Sequence, residues 1–521
     1  MIDPVIAARP GPSHGRWLPL HARPWALFMA GVCVGPAVLA QEAGAARSTT
    51  LVPSLSISET YTDNALLRDD DKRGDLVTQL TAGLSLGHRS ARLTGSLDYS
   101  VSGSAHARET KANEVTQGLR AQLRGELVSN WLYIDSNASI SQQTISAFGL
   151  QTTDTAFDSS NRTEVRSLNL SPYLLRPLGT WGQIEARLQH GRQSAASTTL
   201  GDSTSNTGSL VVSSQGAPRL GWSVSAVRQR VDYESGRQST TDALSVGTSY
   251  RVGADLRLNG SIGRDKSDIV SVADTHSTTW ALGVQWLPSE RTQFVLQREQ
   301  RYFGDGHRLV YTQRLSRASW SLSSSRDVST GATSFVPTST STMFALLFAS
   351  LAAEQPDPLQ RAILVLQRLA ALGISPNAEV TFGFLNSQVT LVSRQDASFA
   401  WQGVRTSFSA AAYRSDSRRL DEGAQAIDAL AGATRVRQHG YSLTLGHKLT
   451  PVTGISLTLS DQRTADSGTT RGNDLRSLLL NWNTQLGREG RLSLGARRVE
   501  FDSLTNPYTE NAVFATYGVR F

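Results

Sequence analysis

Read two residues at a time, most of the chain resolves into alternating apolar and polar positions. In RLTGSLDYSV, Leu93, Gly95, Leu97, Tyr99 and Val101 fall on one side, and Arg92, Thr94, Ser96, Asp98 and Ser100 on the other. Successive side chains of a strand point to opposite faces, so this is a pleated strand set between two unlike surroundings. The alternation returns where Leu119, Ala121 and Leu123 oppose Arg120, Gln122, Arg124 and Glu126, and where Ile184, Ala186 and Leu188 oppose Glu185, Arg187 and Gln189. It returns again in Ile455, Leu457 and Leu459, and in Leu492, Leu494 and Ala496 between Arg491, Ser493 and Arg497. No helical period competes through these stretches.

Alternation fits a soluble sandwich as well as a membrane barrel, and the connections separate the two. Short joins such as Arg89-Ser90, Ser129-Asn130, Pro288-Ser289-Glu290 and Thr450-Pro451 take turns with long polar loops near 62–74, 103–113, 143–160, 193–206 and 416–434. Short turns at one end and long loops at the other are the habit of outer-membrane barrels. Trp131, Tyr133, Tyr173, Trp181, Trp222, Tyr250, Trp286 and Tyr302 stand near predicted strand ends, where aromatic girdles form. The pattern predicts an all-β fold: a transmembrane antiparallel up-and-down barrel of about 22 strands.

One stretch breaks the period of two. Met343, Leu346, Leu347 and Leu351, then Ile363, Leu366, Leu369 and Leu372, are spaced as on helices, with Asp357 as N-cap, Pro358 at the first helical position and Gly373 past the end. A short helical hairpin is expected near 343–372, serving as a lumenal plug, a rim element or a contact for a periplasmic partner.

Composition adds the compartment. Arg9, Arg16 and Arg23 precede the apolar run from Trp25 to Ala40, which ends in Val38-Leu39-Ala40, so residues 1–40 read as an export signal cleaved after Ala40. Residues 41–51 are then a short periplasmic lead, and 52–521 the barrel with its insert. Cys33, the only cysteine, lies inside the signal, which leaves no thiol for a disulfide, zinc-thiolate or cysteine-nucleophile site. The net charge is +7, without a basic run or basic helix face, and gives no support to nucleic-acid binding.

Chemistry is sparse. His88, His106, His190, His276, His307, His439 and His447 are dispersed without metal-ligand spacing, so neither metal nor other cofactor is expected and no catalytic residue is assigned. The RDDDK stretch from Arg68 to Lys72 lacks the alternate-residue spacing of a calcium loop and reads as a solvated acidic tip. The candidate site is the polar strand face: Arg92, Asp98, Arg120, Arg124, Glu126, Glu185, Arg187, Arg257, Arg491 and Arg497 are predicted to line the lumen, because charges facing lipid are costly. They would either favour anionic cargo or brace the wall in cross-strand pairs.

PSLSISETYTDNALL, with Glu59, Tyr61, Asp63 and Asn64, then DLVTQLTAGLSL, PDPLQRA and the stretch from Ser393 to Arg418, resembles the outer-membrane barrel family associated with PEP-CTERM/exosortase sorting and exopolysaccharide loci of Gram-negative bacteria. The resemblance implies an outer-membrane location and a non-enzymatic part in export or passage of envelope material. Its implied partners are outer-membrane lipid, the barrel-assembly machinery, and exopolysaccharide or sorted surface proteins. The alternatives are a general diffusion porin and a structural barrel anchoring periplasmic partners. AVFATYGVRF predicts a last strand whose Tyr517, Val519 and Phe521 share the lipid-facing side and resemble the signal read during outer-membrane assembly.

Overall fold

The computed structural model describes residues 48–521 apart from 110–111, 155–156, 158–159, 199, 217–218, 272, 330–383, 421–429, 431–434 and 467–471. The predicted export signal with Ala40, the residues up to 47 and the predicted helical hairpin at 343–372 lie outside the described residues.

Twenty-two strands follow one another as β1 (Ser48–Thr62), β2 (Asp75–Arg89), β3 (Leu93–His106), β4 (Glu114–Val128), β5 (Leu132–Thr144), β6 (Arg162–Leu178), β7 (Gly182–Ala195), β8 (Ser203–Ser214), β9 (Leu220–Tyr233), β10 (Ser239–Arg251) and β11 (Leu256–Ser267). The second half comprises β12 (Thr275–Ser289), β13 (Thr292–Arg301), β14 (Gly304–Arg314), β15 (Ala318–Ser329), β16 (Thr390–Gln402), β17 (Thr406–Arg419), β18 (Arg435–Lys448), β19 (Thr453–Asp466), β20 (Gly472–Leu486), β21 (Gly490–Ser503) and β22 (Tyr508–Arg520). Each pairs antiparallel with the next, and β22 returns to β1 in a register running from Ser54 opposite Arg520 to Thr62 opposite Ala512. Closure leaves no strand edge unpaired, which a chain in hydrocarbon requires because lipid offers no hydrogen bonds. The expected barrel is therefore the observed fold. β1 begins at Ser48, four residues before the expected start, because Ser48 to Leu51 already pair with Leu86 to Arg89.

Side chains sort by parity. Leu51, Leu55 and Ile57 of β1 point outward, while Thr60 and Thr62 point inward and are 5% and 0% exposed. On β7 to β12 the outward faces are apolar from the turn side upward and then become polar at His190, Asn206, Arg228, Asp242, Arg264 and Thr278. The cross-strand row through Leu188 runs by Gly208, Arg228, Asp242 and Lys266 to His276, so the polar onset falls by one row every two strands. Tilted strands make such a drift horizontal, and the polar onset marks one membrane boundary.

Trp222, Tyr250, Trp286, Trp320 and Trp401 are outward and near the short turns, forming the periplasmic girdle. Three of the aromatics expected in the girdles belong elsewhere. Tyr133 and Tyr173 share the inward parity of Asp135 and Ser171 and stack on one another at 5.2 Å. Within β5 and β6 they alternate with the outward Leu132, Ile134, Pro172 and Leu174, so the parity of their own strands turns them into the lumen. Tyr302 sits in the tight β13–β14 connection against a buried cluster, and burial pushes its phenol up to about 12.

Apolar clusters occupy the loop-side mouth, beneath the connections. One gathers Leu67, Val77, Phe157, Val499, Phe501 and Tyr508; a second, Ala147, Phe384, Leu430 and Val436; a third, Val231, Tyr233, Ile269, Phe303, Val389, Leu391 and Leu420.

Candidate functional site

Twenty-two strands at ~4.8 Å spacing and a tilt near 40° would enclose a circle roughly 40 Å across, backbone to backbone. The mouth of this ring is crossed by chain. The described residues of the β5–β6 connection, 145–154, 157 and 160–161, fold inward instead of standing over the rim. The Tyr508 hydroxyl donates to Gln151 O at 2.7 Å, the Asn473 amide to Ala147 O at 3.0 Å, and the Gln462 amide to the Gln151 side chain at 3.2 Å. Arg497 clasps the tip: it is 8% exposed, pairs with Asp154 at 2.6 Å and Glu510 at 2.8 Å, and stands over the Phe157 ring. Glu510 is itself buried and also accepts from the Thr62 hydroxyl at 3.1 Å.

Local chemistry shapes the loop. The Asn161 side chain accepts from Ser146 N at 2.8 Å and donates to Ser146 O and Leu150 O, which closes the neck. Arg162 donates to Phe157 O at 2.9 Å and holds the returning limb. Phe157 fills the space under Leu67, whose positive φ of 51° is tolerated in return for a buried side chain.

A second strap precedes β16. Phe384, Leu385, Asn386, Ser387, Gln388 and Val389 are all buried. The strap touches the loop through Phe384 and Ala147, and Leu385 N donates to Thr144 O at 3.1 Å. At its other end it runs against the β9–β10 connection, where a Cβ on Gly236 would lie 2.3 Å from Ser387 O. Contacts thus continue from β20–β22, through both segments, to β9.

The predicted lumen charges fall into three groups. On the turn-side wall, Arg124 pairs with Asp135 at 3.0 Å, Arg187 with Asp135 at 3.2 Å and with Glu185 at 2.9 Å, and Arg187 lies 3.9 Å over the Tyr173 ring. Asp98 accepts from the Ser85 hydroxyl at 2.7 Å and faces Arg120 across the sheet. Glu126 accepts from the Asn130 N–H and so caps its own turn. Arg257 borders an inward cavity of about 810 Å³ with Arg251, Asn259, Ser261 and Gln297, and Arg491 faces inward beside the β20–β21 turn. Arg497 belongs to the clasp at the opposite end. Arg92 is placed differently from the expectation: the β2–β3 hairpin turns through it, so it stands exposed on the rim.

Of the stretches that carry the family resemblance, PDPLQRA lies outside the described residues, and the opening one lies at the barrel seam. Asn511 N and its side-chain amide donate to the Asp63 carboxylate at 2.8 and 2.7 Å, and Asp63 N donates to Asn511 O at 3.1 Å. Asn64 is fully buried, and its amide donates to Arg68 O at 2.6 Å and to Thr509 O at 2.9 Å. Thr78 donates to Glu59 at 2.9 Å, while Tyr61 faces outward. At the other end of the seam Tyr517 and Val519 face outward, and Phe521 N donates to Pro53 O at 3.0 Å.

In the acidic tip, Arg73 pairs with Asp71 at 2.8 Å and holds its carboxyl below the ordinary range. Among the described residues no three His, Cys, Asp or Glu converge as metal ligands.

No family model and no curated protein matches the chain. Among solved structures it is similar to the FrpB iron transporter from Neisseria meningitidis (F5-1 variant), at 10% identity and a TM-score of 0.47, over 90% of this chain and 82% of that one. It is also similar to the siderophore receptor PiuA from Acinetobacter baumannii, at 8% identity and 0.45, over 90% and 82%. A third is Pseudomonas aeruginosa OccK5 (OpdH), at 9% identity and 0.29, over 90% and 98%. Likeness at this identity concerns the barrel fold alone.

Proposed function

We propose that this outer-membrane barrel is a gated passage for envelope material, working in the PEP-CTERM- and exopolysaccharide-associated setting that its sequence resembles. One observation carries the gate: the described residues of loop 145–161 and the strap 384–389 lie inside the mouth, bound to inward-facing groups of β19–β22 and to the β9–β10 connection. A diffusion porin needs a clear path, and an anchoring barrel has no use for a polar loop drawn into the mouth by a buried ion-pair clasp. Arg251 and Arg257, which border the turn-side cavity, suit anionic polymer approaching from the periplasm.

The test pairs conductance with cargo. Wild-type protein in planar bilayers should be nearly closed, and a variant lacking 147–158 should conduct steadily. In cells, the same deletion should alter surface polysaccharide yield without lowering the amount of folded barrel. A wild-type conductance equal to that of the deletion variant would end the gated reading, and unchanged polysaccharide in a full gene deletion would end the assignment of cargo.

A further inference from the structure

The outer face of the barrel holds a second site, independent of the lumen. On β9 the outward side chains run Leu220, Trp222, Val224 and Ala226 from the turn side, then Arg228 and Arg230. On β11 they end in Arg264 and Lys266. At ~3.3 Å per residue and a tilt near 40°, Arg228 stands about 20 Å above Leu220. That is near the far edge of an apolar band about 25 Å tall, where charges meet lipid headgroups instead of acyl tails.

Directly below lies a groove of about 800 Å³, walled by Leu188, Leu210 and Leu244 and topped by Arg228, Arg264 and Lys266. Small side chains open it. Gly208 stands between Leu188 and Arg228 in one cross-strand row, and Ala226 between Leu210 and Leu244 in the next. The cations are only partly satisfied by protein. Arg228 shares Asp242 at a loose 3.6 Å, Lys266 pairs with Asp274 at 2.8 Å, and Arg264 makes no ion pair among the described residues. The turn-side boundary of the same sector carries Trp222, Tyr250 and Trp286 instead. The two membrane surfaces are therefore met by different chemistry, aromatic on one side and cationic on the other.

We infer that this groove seats an acylated, phosphorylated glycolipid of the outer leaflet, with an acyl chain over Ala226 between Leu210 and Leu244 and phosphate at Arg228, Arg264 and Lys266. Apolar surface alone would accept any lipid. The guanidinium groups at headgroup height select phosphate, which they bind through charge-assisted hydrogen bonds.

Native mass spectrometry of detergent-purified full-length protein, titrated with bisphosphorylated lipid A and with its dephosphorylated form, tests this. Wild type should retain the phosphorylated lipid with roughly tenfold preference. Arg228→Ala with Arg264→Ala should remove that preference, whereas Ala226→Trp, or Ala226→Leu should the Trp variant fail to fold, should weaken both lipids. Arg326→Ala, an outward cation of another sector, should change nothing. Equal retention of the two lipids, indifference to the paired Arg variants, or full displacement by inorganic phosphate would overturn the inference.

Discussion

Arg497→Ala should open the lumen without unfolding the barrel. The guanidinium is 8% exposed and joins two carboxylates, at 2.6 Å to Asp154 and 2.8 Å to Glu510. Removing one partner of a buried pair costs ~3–5 kcal/mol, because the carboxylates left behind lose their counter-charge where water is largely excluded. The barrel wall has no means of relieving that charge, but the loop does: swinging 145–161 outward hydrates both carboxylates. What resists the swing is the burial of Phe157, about 2–3 kcal/mol, and three neutral hydrogen bonds from Tyr508, Asn473 and Gln462 at about 1 kcal/mol each. The two totals are comparable, so the closed loop should give way to a mixture of closed and open forms. At 1.4 kcal/mol per decade, the loss shifts the closing equilibrium by roughly 10² to 4 × 10³.

Hydrogen exchange reads this directly. Amides of 145–154 should lose protection by that factor, while those of β20–β22 keep theirs, and single-channel recordings should show frequent openings. Arg497→Lys should fall between, since it keeps the charge and loses the fork. Unchanged protection of 145–154 in Arg497→Ala would refute the clasp. Lost protection without added conductance would show that the loop is not the barrier.

The seam gives a separate expectation: Asp63→Ala should lower barrel stability by about 1–3 kcal/mol, measured by the temperature of gel-mobility change, and Asn511→Ala on top should add little. Gly236→Val should displace the strap, because its Cβ would lie 2.3 Å from Ser387 O, and should raise conductance with Arg497 intact. Phe521→Ala should reduce folded barrel in cells yet leave refolding in detergent near wild type, because the Phe521 side chain is 67% exposed and its own hydrogen bond is made by backbone. Equal losses in both settings would point to a structural part for Phe521 instead of a recognition signal.

The wall was legible because a membrane barrel obeys one local rule. Leu494 outward and Arg497 inward follow from parity, and the number of strands follows from counting turns. Tyr133 and Tyr173 obey the same rule, alternating with the outward Leu132, Ile134 and Leu174, so standing near a strand end does not by itself place an aromatic in the girdle. Parity turns Arg497 inward, but its task is invisible in the sequence, because Asp154 lies 343 residues away in a loop whose composition is that of any solvated loop.

A weaker signal did exist. Phe148 and Phe157 in the β5–β6 loop, and Phe384 and Leu385 before β16, are large apolar residues where an exposed connection should carry none. A loop that stands in water gains nothing from such side chains, and a loop that folds into a lumen needs them to offset the ordering of its backbone. The same logic joins gate and wall. Because Phe157 packs on Val77, Val499 and Tyr508, the inward ends of β2, β21 and β22 could be apolar only where the loop covers them. A barrel built to stay open would carry polar side chains at those three positions, so the apolar residues there are a mark of closure written into the wall itself.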